Sequence, residues 1–232
     1  MPSKKQPASS RHPKPMRVIL DIDGTLVDSN YHHTMSWFKG LRDHGYVVPV
    51  WRIHRAMGLG GDLLVAHVAG DEAEARSGDL IRESEGKHYF DVIDEVQPLE
   101  GSRDLVLALK QAGHAVVMAS SAKPEEVEHY LTLLGAAGLV DAWTSSGDVG
   151  KSKPAPDLIE VALEKAEGDQ DAILIGDSVW DIEAAARAGV PTLAVLTGGY
   201  SEAELLEAGA QAVFGSVSEL LDRLGETPLG SG

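Results

Sequence analysis

The chain has 232 residues, of which 43% are hydrophobic and 24% are charged, as is usual for a soluble globular protein. It carries 36 acidic against 20 basic residues, and this formal charge of -16 argues against nucleic acid and membrane surfaces as partners. Cysteine is absent, which excludes disulfides, thiolate metal ligands and a cysteine nucleophile, and fits a reducing compartment.

The N-terminal segment, residues 1–16, is rich in proline, serine and basic side chains and contains no apolar core of a secretion signal. We predict that it is a disordered tail. Because no run of the sequence is apolar enough to span a membrane, the expected location is the cytoplasm.

The predicted elements begin with an apolar strand, RVIL, at residues 17–20. Residues 28–97 then show little strand signal but several segments of helical period, which indicates a helical insertion. From Pro98 onward, short apolar runs alternate with helical segments, and this alternation is typical of a parallel sheet with crossover helices. We therefore predict an α/β fold with a Rossmann-like parallel-sheet core, residues 17–27 and 98–226, and an inserted α-helical domain at 28–97.

Two aspartates, Asp21 and Asp23, follow the first strand directly. Residues two apart on a strand share a face, and two carboxylates this close are costly unless a positive charge lies between them. Ligands of open parallel sheets bind beyond the carboxyl ends of the strands, where this pair falls. The pair therefore predicts a ligand site at that edge.

The ends of later strands supply further polar side chains to the same edge. Ser120 and Ser121 follow the strand AVVM, Asp177 and Asp181 lie four apart at the start of a helix, and Lys153 lies in a connecting loop. An oxygen-rich set without cysteine or paired histidines suggests Mg²⁺ as the cofactor. Carboxylate-bound Mg²⁺ usually serves phosphate chemistry.

Four motifs now stand in order: DIDGT, the strand that ends in Ser120, KPAPD with Lys153, and GDSVWD. Together they resemble the haloacid dehalogenase superfamily, in its phosphoglycolate-phosphatase-like and β-phosphoglucomutase-like branch. The resemblance implies a phosphatase of a small phosphorylated substrate, with the helical insertion as its cap domain. Members that act as dehalogenases lack the second aspartate, so Asp23 argues against that activity.

The resemblance also implies roles for individual residues. Asp21 would be the nucleophile that forms an aspartyl-phosphate, and Asp23 the general acid and base. Ser120 and Lys153 would hold the phosphoryl oxygens.

The metal ligands implied by the resemblance are Asp21, the backbone carbonyl of Asp23 and Asp177, with Asp181 bound directly or through water. The residues that we expect next to the substrate are Gly24, Thr25 and Ser121, although Ser121 could instead cap the following helix.

In the cap, the segment WRIHRAMGLGGD places three basic residues before a glycine stretch. Arg52, His54 and Arg55 could read an anionic leaving group, or they could lie on a solvated helix face. The glycines allow either a close backbone approach or a turn. We interpret His32 and His33, at the entry to the cap, as hinge or packing residues.

Several questions stay open at this stage. A phosphosugar mutase of the β-phosphoglucomutase type would share the same core, and a non-catalytic binding domain could share the fold. Phosphonate hydrolysis would need a cap lysine, for which Lys39 is the nearest candidate. We expect the cap to close over the core by hinging near residues 27–30 and 96–101. The substrate and the oligomeric state are not determined.

Overall fold

The computed structural model describes residues 14–230, which build a six-stranded parallel sheet in the order β3-β2-β1-β4-β5-β6. This confirms the predicted fold class. The central strand β1 pairs with β2 on one side and with β4 on the other. The short edge strand β3 was not predicted from the sequence. The strands are β1 (Arg17–Leu20), β2 (Ala115–Ala119), β3 (Ala142–Thr144), β4 (Ala172–Gly176), β5 (Thr192–Val195) and β6 (Ala212–Phe214).

Helices cover both faces of the sheet, so its inner strands are apolar on both sides. Val18 and Leu20 of β1 point into one core, while Ile19 between them points into the other. The helices of this part are α5 (Ser102–Gln111), α6 (Pro124–Leu133), α7 (Asp157–Lys165), α8 (Val179–Arg187), α9 (Glu202–Ala208) and α10 (Val217–Asp222). The first core includes side chains of α5, α6 and α10, and the second includes those of α7 and α8.

The insertion between β1 and α5 is helical, with a hydrophobic cluster of its own around Trp37, Ile53 and Ile81. Its last helix begins at Asp71, whereas the sequence indicates a helical segment only from residue 79. The acidic Asp71 and Glu72 occupy its first turn, where they suit the positive end of the helix dipole. The insertion contains α1 (Asn30–Asp43), α2 (Val50–His54), α3 (Gly61–Ala69) and α4 (Asp71–Phe90).

The two ends of the described chain meet at His114, which is 2% exposed. Its Nδ1 accepts the backbone N–H of Met16 at 3.1 Å, so Nε2 carries the proton and donates to the carbonyl of Leu229 at 2.9 Å. Leu229 is fully buried in the first core, although the sequence placed it beyond the domain. Residues 1–13 of the predicted tail lie outside the described residues.

Between residues 14 and 230, the structure contains no helix with the length and apolar character needed to cross a membrane.

Candidate active site

The nucleophile candidate, Asp21, directly follows β1 and is 4% exposed. Its backbone N–H donates to the carbonyl of Ile175, so strand pairing with β4 continues one residue beyond β1. One carboxylate oxygen accepts Lys153 Nζ at 2.5 Å, and the other accepts the Thr25 hydroxyl at 3.1 Å. The sheet therefore holds this carboxylate at the carboxyl edge, as the sequence predicted.

Asp177 and Asp181 reach the same point from β4 and α8. One oxygen from each of Asp21, Asp177 and Asp181 lies within 4.8 Å of the others, and all three residues are buried. Asp181 also completes a capping box at the start of α8, where it accepts the Ser178 hydroxyl at 2.6 Å. Capping and ligand binding are compatible here, because its second oxygen faces Lys153 at 2.7 Å.

The electrostatics of this acidic cluster favour a cation. Burial, reinforced by the charge of Asp181, raises the pKa of Asp21 well above its usual range and that of Asp177 to about 7. Buried carboxylates such as Asp21 and Asp177, whose ionisation is opposed in this way, are stabilised by a bound divalent ion. The surroundings leave room only for compact groups, since a methyl placed on Gly24 would lie 2.3 Å from Asp177 Oδ2. The donor set therefore fits a hard divalent cation.

Two side chains orient Asp177 within the cluster. Thr25 Oγ1 lies 3.0 Å from one carboxylate oxygen of Asp177 and shares its single proton between that oxygen and Asp21, while Asn30 Nδ2 donates to the other oxygen of Asp177 at 2.8 Å. Thr25 lies between Asp21 and Asp177 and is fully buried, so it serves the carboxylates in this structure. Sequence reasoning missed Asn30, which is remote from every strand end and enters the site only because α1 begins there.

Lys153 supplies the positive charge of the site and is only 2% exposed. Burial alone would lower the pKa of its ammonium, but the charges of Asp181 and Asp21 raise it above the usual value. Lysine at this position is therefore held in its charged form between the two carboxylates, as the sequence predicted for a group that offsets Asp21.

Asp23 occupies a separate environment, and its carboxylate lies outside the acidic cluster. It accepts the hydroxyls of Ser29 at 2.7 Å and Ser120 at 2.9 Å, and it lies 3.4 Å from His33 Nε2. Burial would raise the pKa of Asp23, but the hydrogen bonds and charge of these partners, His33 above all, lower it to about 2. The two aspartates of the DIDGT motif are thus placed in contrasting surroundings.

His33 is a site residue, and our interpretation of it as a hinge or packing residue was incomplete. Its ring stacks on Tyr89, while its two nitrogens face Asp23 and Glu85, the latter at 3.1 Å. Burial would lower the pKa of His33, but these two carboxylates raise it to about 10. His33 therefore links the carboxylate of Glu85 on α4 to that of Asp23 in the core.

The two serines after β2, Ser120 and Ser121, differ in their hydrogen-bond partners. Ser120 Oγ accepts the backbone N–H of Ala122 and donates to Asp23, so this hydroxyl is engaged within the protein. Ser121 lines the cavity, and its buried hydroxyl has no hydrogen-bond partner among residues 14–230. The alternative of a helix cap is excluded for Ser121, because α6 begins at Pro124 with Lys123 as its cap residue.

A cavity of about 340 Å³ opens above these groups and is walled by both the cap and the core. The glycine stretch of the cap closes one side by a close backbone approach, one of the two predicted alternatives. Gly60 donates its N–H to the carbonyl of Lys153 at 3.2 Å, and a methyl on Gly60 would lie 1.9 Å from Ser152 Cβ. Asp21, Asp23, Ser121 and Lys153 all face this cavity.

The three basic cap residues do not line the cavity, so their predicted role as readers of the leaving group is not supported by their position. Arg55 instead pairs with Glu204 of α9 at 2.5 Å and covers the Tyr200 ring. Arg52 is exposed, and His54 stacks on Tyr31. Arg55 thus faces α9 and Arg52 faces solvent, while the His54 ring lies against Gly199.

Other ionisable side chains line the cavity in their place, and the sequence offered little signal for them. Arg82 and Glu85 come from α4, and Lys123 and Glu126 come from the start of α6. They lie far from the strand-end motifs in sequence, and their helical spacing matches that of any solvated face. Only the docking of the cap on the core brings them together.

The fold and the site define an α/β enzyme with a helical insertion and an acidic, lysine-containing centre at the carboxyl edge of its sheet. A family profile described as haloacid dehalogenase-like hydrolase matches residues 16–189. The chain belongs to that family, and it is a hydrolase.

Relatives support the same assignment. The chain is 30% identical over 188 residues to a phosphoglycolate phosphatase of Aquifex aeolicus, with 79% of this chain and 86% of the relative covered. It is 26% identical over 182 residues to a pyrophosphatase of Bacillus velezensis, covering 77% and 82%. A hydrolase from Pseudomonas syringae has a similar solved structure, with a TM-score of 0.85, 29% identity and coverage of 91% and 98%.

Proposed function

We propose that the protein is a Mg²⁺-dependent phosphatase that hydrolyses a small phosphate monoester through an aspartyl-phosphate on Asp21. The observation that carries the proposal is that Asp21, Asp23 and Lys153 face one cavity, with Asp177 and Asp181 clustered behind Asp21. Relatives named as phosphatases support the same reaction class.

The geometry suits Asp21 as the nucleophile. Lys153 and Thr25 hold its carboxylate at the cavity, and ionisation of Asp21 is favoured once a cation offsets Asp177 and Asp181. Mg²⁺ held by Asp21, Asp177, Asp181 and the backbone carbonyl of Asp23 would neutralise phosphate charge and orient the ester. Ser121, with its unengaged hydroxyl, is placed to donate to a phosphoryl oxygen.

Asp23 is the proposed acid and base. Its carboxylate is ionised in the free protein, so it would first take up a proton, which the protonated His33 beside it can supply, and pass that proton to the leaving oxygen. It would then take a proton from the attacking water, which restores the proton of His33 for the next cycle. Ser29, Ser120 and His33 fix the orientation of the Asp23 carboxylate. A fixed orientation is required for proton transfer to or from a single atom of the substrate or water. The glycine stretch of the cap covers the cavity on the side of Lys153 and would limit access of water.

The test is release of inorganic phosphate from a panel of phosphomonoesters, with Mg²⁺ and with a chelator. We expect metal-dependent release by the wild type and none by Asp21→Asn, which removes the nucleophile but retains the size of the side chain and its acceptor for Lys153. Circular dichroism and thermal unfolding should show that Asp21→Asn is folded. Undiminished turnover by a folded Asp21→Asn would refute the nucleophile assignment, and metal-independent turnover would refute the role of Mg²⁺.

A further inference from the structure

The part of the cavity wall that would face the leaving group carries an unexpected set of charges. It is formed by cap helices α1, α3 and α4 and by the start of α6. We call it the leaving-group wall, and its members are Trp37, Leu64, Arg82, Glu85, Lys123 and Glu126.

Building on the proposed phosphatase activity, we infer that the substrate is the phosphate ester of a neutral, polyhydroxylated alcohol, such as a sugar or sugar-alcohol phosphate. Esters that carry a second anion, a carboxylate or another phosphate, are excluded by this wall. The inference reverses the sequence-based expectation of an anionic leaving group, which depended on Arg52, His54 and Arg55.

The first step concerns the acidic side chains of the wall. Glu85 is 6% exposed and Glu126 is 3% exposed. Burial raises the pKa of Glu126 to about 7, so Glu126 adds its charge to the wall above that pH. A second anion on the substrate would be placed in the same cavity as these two carboxylates. Because cations of the wall offset these two charges, the cost to that anion is the loss of its water without a free positive partner in exchange.

The second step concerns the cations that would be needed to compensate that anion. Arg82 is held by both oxygens of Glu74, at 3.0 and 2.7 Å, and by Asp79 at 2.8 Å. Its guanidinium also donates to the carbonyl of Gly61. Arg82 is therefore neutralised by its own cap and has little remaining capacity for a substrate anion.

Two of the other three cations that line the cavity are each held between two carboxylates, and the third, Lys123, is partly exposed and faces a single glutamate. His33 lies between Asp23 and Glu85, Lys153 lies between Asp21 and Asp181, and Lys123 Nζ is 4.0 Å from Glu126. In the described part of the chain, each cationic side chain of this cavity thus has an acidic partner. The same balance gives a substrate ammonium no net attraction, because Lys123 and His33 offset the two glutamates.

The third step concerns what the wall offers a neutral molecule. Carboxylate oxygens accept hydrogen bonds from hydroxyl groups, and Glu85 and Glu126 present such oxygens from opposite elements. Trp37 and Leu64 add apolar surface that suits the C–H face of a sugar. At about 340 Å³ the cavity lies near the small end of ligand pockets, which suits one ring or short polyol chain with its phosphate.

The first experiment compares matched esters that differ only in the charge of the leaving group. The pairs are erythritol 4-phosphate with 4-phosphoerythronate and glycerol 3-phosphate with 3-phosphoglycerate, together with phosphoethanolamine as the cationic member and p-nitrophenyl phosphate as a general reporter. At pH 8, where Glu126 is ionised, we expect kcat/KM to be at least tenfold higher for the neutral member of each pair.

The outcomes separate this inference from the function on which it depends. Hydrolysis of p-nitrophenyl phosphate with equal or higher kcat/KM for the carboxylate or ammonium esters would overturn the inference and leave the phosphatase proposal intact. Absence of Mg²⁺-dependent hydrolysis of every ester would refute the phosphatase proposal itself.

The second experiment uses Glu126→Gln, with Glu128→Gln on the exposed side of the same helix as the matched control. Glutamine can still accept the backbone N–H of Lys123, which Glu126 caps in this structure, so the start of α6 is preserved. We expect the preference for the neutral ester over its carboxylate partner to fall at least tenfold in Glu126→Gln and to stay unchanged in Glu128→Gln. A uniform loss toward all esters in Glu126→Gln would show a purely structural role and overturn the inference.

Discussion

At the scale of single residues, Lys153 shows how a buried charge can be kept in a protein interior. Its ammonium is 2% exposed, a position that is strongly unfavourable for an isolated charge. Asp21 at 2.5 Å and Asp181 at 2.7 Å compensate it, and the same contacts orient two proposed metal ligands. Removing Lys153 would therefore affect the acidic cluster as well as the substrate.

Glu126 allows a prediction of pH-dependent stability at the residue scale. Burial, partly offset by His33 and reinforced by Glu85 and Asp23, raises the pKa of Glu126 from 4.5 to about 7. Between pH 4.5 and 7, Glu126 therefore keeps its proton in the folded protein but has lost it in the unfolded chain. Stability is lost as the pH rises from 4.5 to 7 and is then constant.

Glutamine at position 126 does not titrate, so the Glu126→Gln variant should gain stability over the wild type across this pH range. The gain should grow to at most about 3 kcal/mol, because a tenfold difference in proton affinity between the folded and unfolded chains is worth about 1.4 kcal/mol. Urea unfolding of both proteins at pH 5, 6, 7 and 8, in chelator, measures it. Glu128→Gln should show no such trend, and parallel curves for Glu126→Gln and the wild type would contradict the assignment.

At the scale of elements, the glycine stretch before α3 is shaped by contact with the core. Gly58 has a φ of +91°, and a methyl placed on it would meet Ser178 Oγ at 2.5 Å. Gly60 leaves even less room against Ser152. These glycines allow the backbone of the cap to lie directly on the loops that carry Lys153 and Asp177.

Gly60→Ala should separate closure of the cap from folding. Its backbone conformation is allowed for alanine, but the added methyl would lie 1.9 Å from Ser152 Cβ and push the cap loop away. We expect kcat/KM for the best ester to fall at least tenfold, with the free energy of unfolding changed by less than about 2 kcal/mol. Steady-state kinetics and thermal unfolding measure the two quantities.

The adjacent Gly61→Ala provides the matched control, because its methyl would meet only Trp37 at 3.4 Å, an ordinary contact. Activity close to that of the wild type is expected for Gly61→Ala. Equal losses in the two variants would show that the loop responds to any added side chain and would contradict a specific contact with Ser152.

At the scale of the whole molecule, the site joins two hydrophobic units, the sheet with its helices and the cap with its own cluster. The chain passes twice between them, and the two passages pair with each other. The backbone N–H of Asp28 donates to the carbonyl of Gln97, and the backbone N–H of Leu99 donates to the carbonyl of Leu26. The predicted hinge near residues 27–30 and 96–101 coincides with these paired passages and remains a prediction.

Binding of Mg²⁺ should stabilise the whole fold, since it relieves repulsion among three buried carboxylates drawn from β1, β4 and α8. A ligand at 100 times its Kd adds about 2.7 kcal/mol to the free energy of unfolding. For a chain of this size, that corresponds to a rise in Tm of roughly 5 to 10 °C. Thermal unfolding with MgCl₂, and with NaCl at equal ionic strength, measures the effect.

Asp177→Asn removes one carboxylate of the cluster but keeps a side chain of the same size. The Mg²⁺-dependent rise in Tm should shrink by more than half in this variant. An equal rise in both proteins would indicate non-specific binding by the acidic surface, in agreement with the formal charge of -16 and contrary to a specific site.

The sequence by itself determined the sheet, the helical insertion and the residues at the strand ends. Strands buried on both faces are continuous apolar runs, and parallel strands bring their ends to one edge, so Asp21, Ser120 and Asp177 could be placed from local pattern alone. Strand β3 was missed because its three residues, Ala-Trp-Thr, do not form an apolar run, whereas the equally short edge strand β6 reads Ala-Val-Phe.

Only the tertiary structure decided how the cap faces the core. The orientation of α2 turned Arg55 toward Glu204, and the docking of α4 brought Glu85 to His33. Amphipathic helices reveal which face is buried but not which neighbour covers the rest of the surface. The residues that surround the leaving group therefore depend on long-range packing, which no local spacing in the sequence encodes.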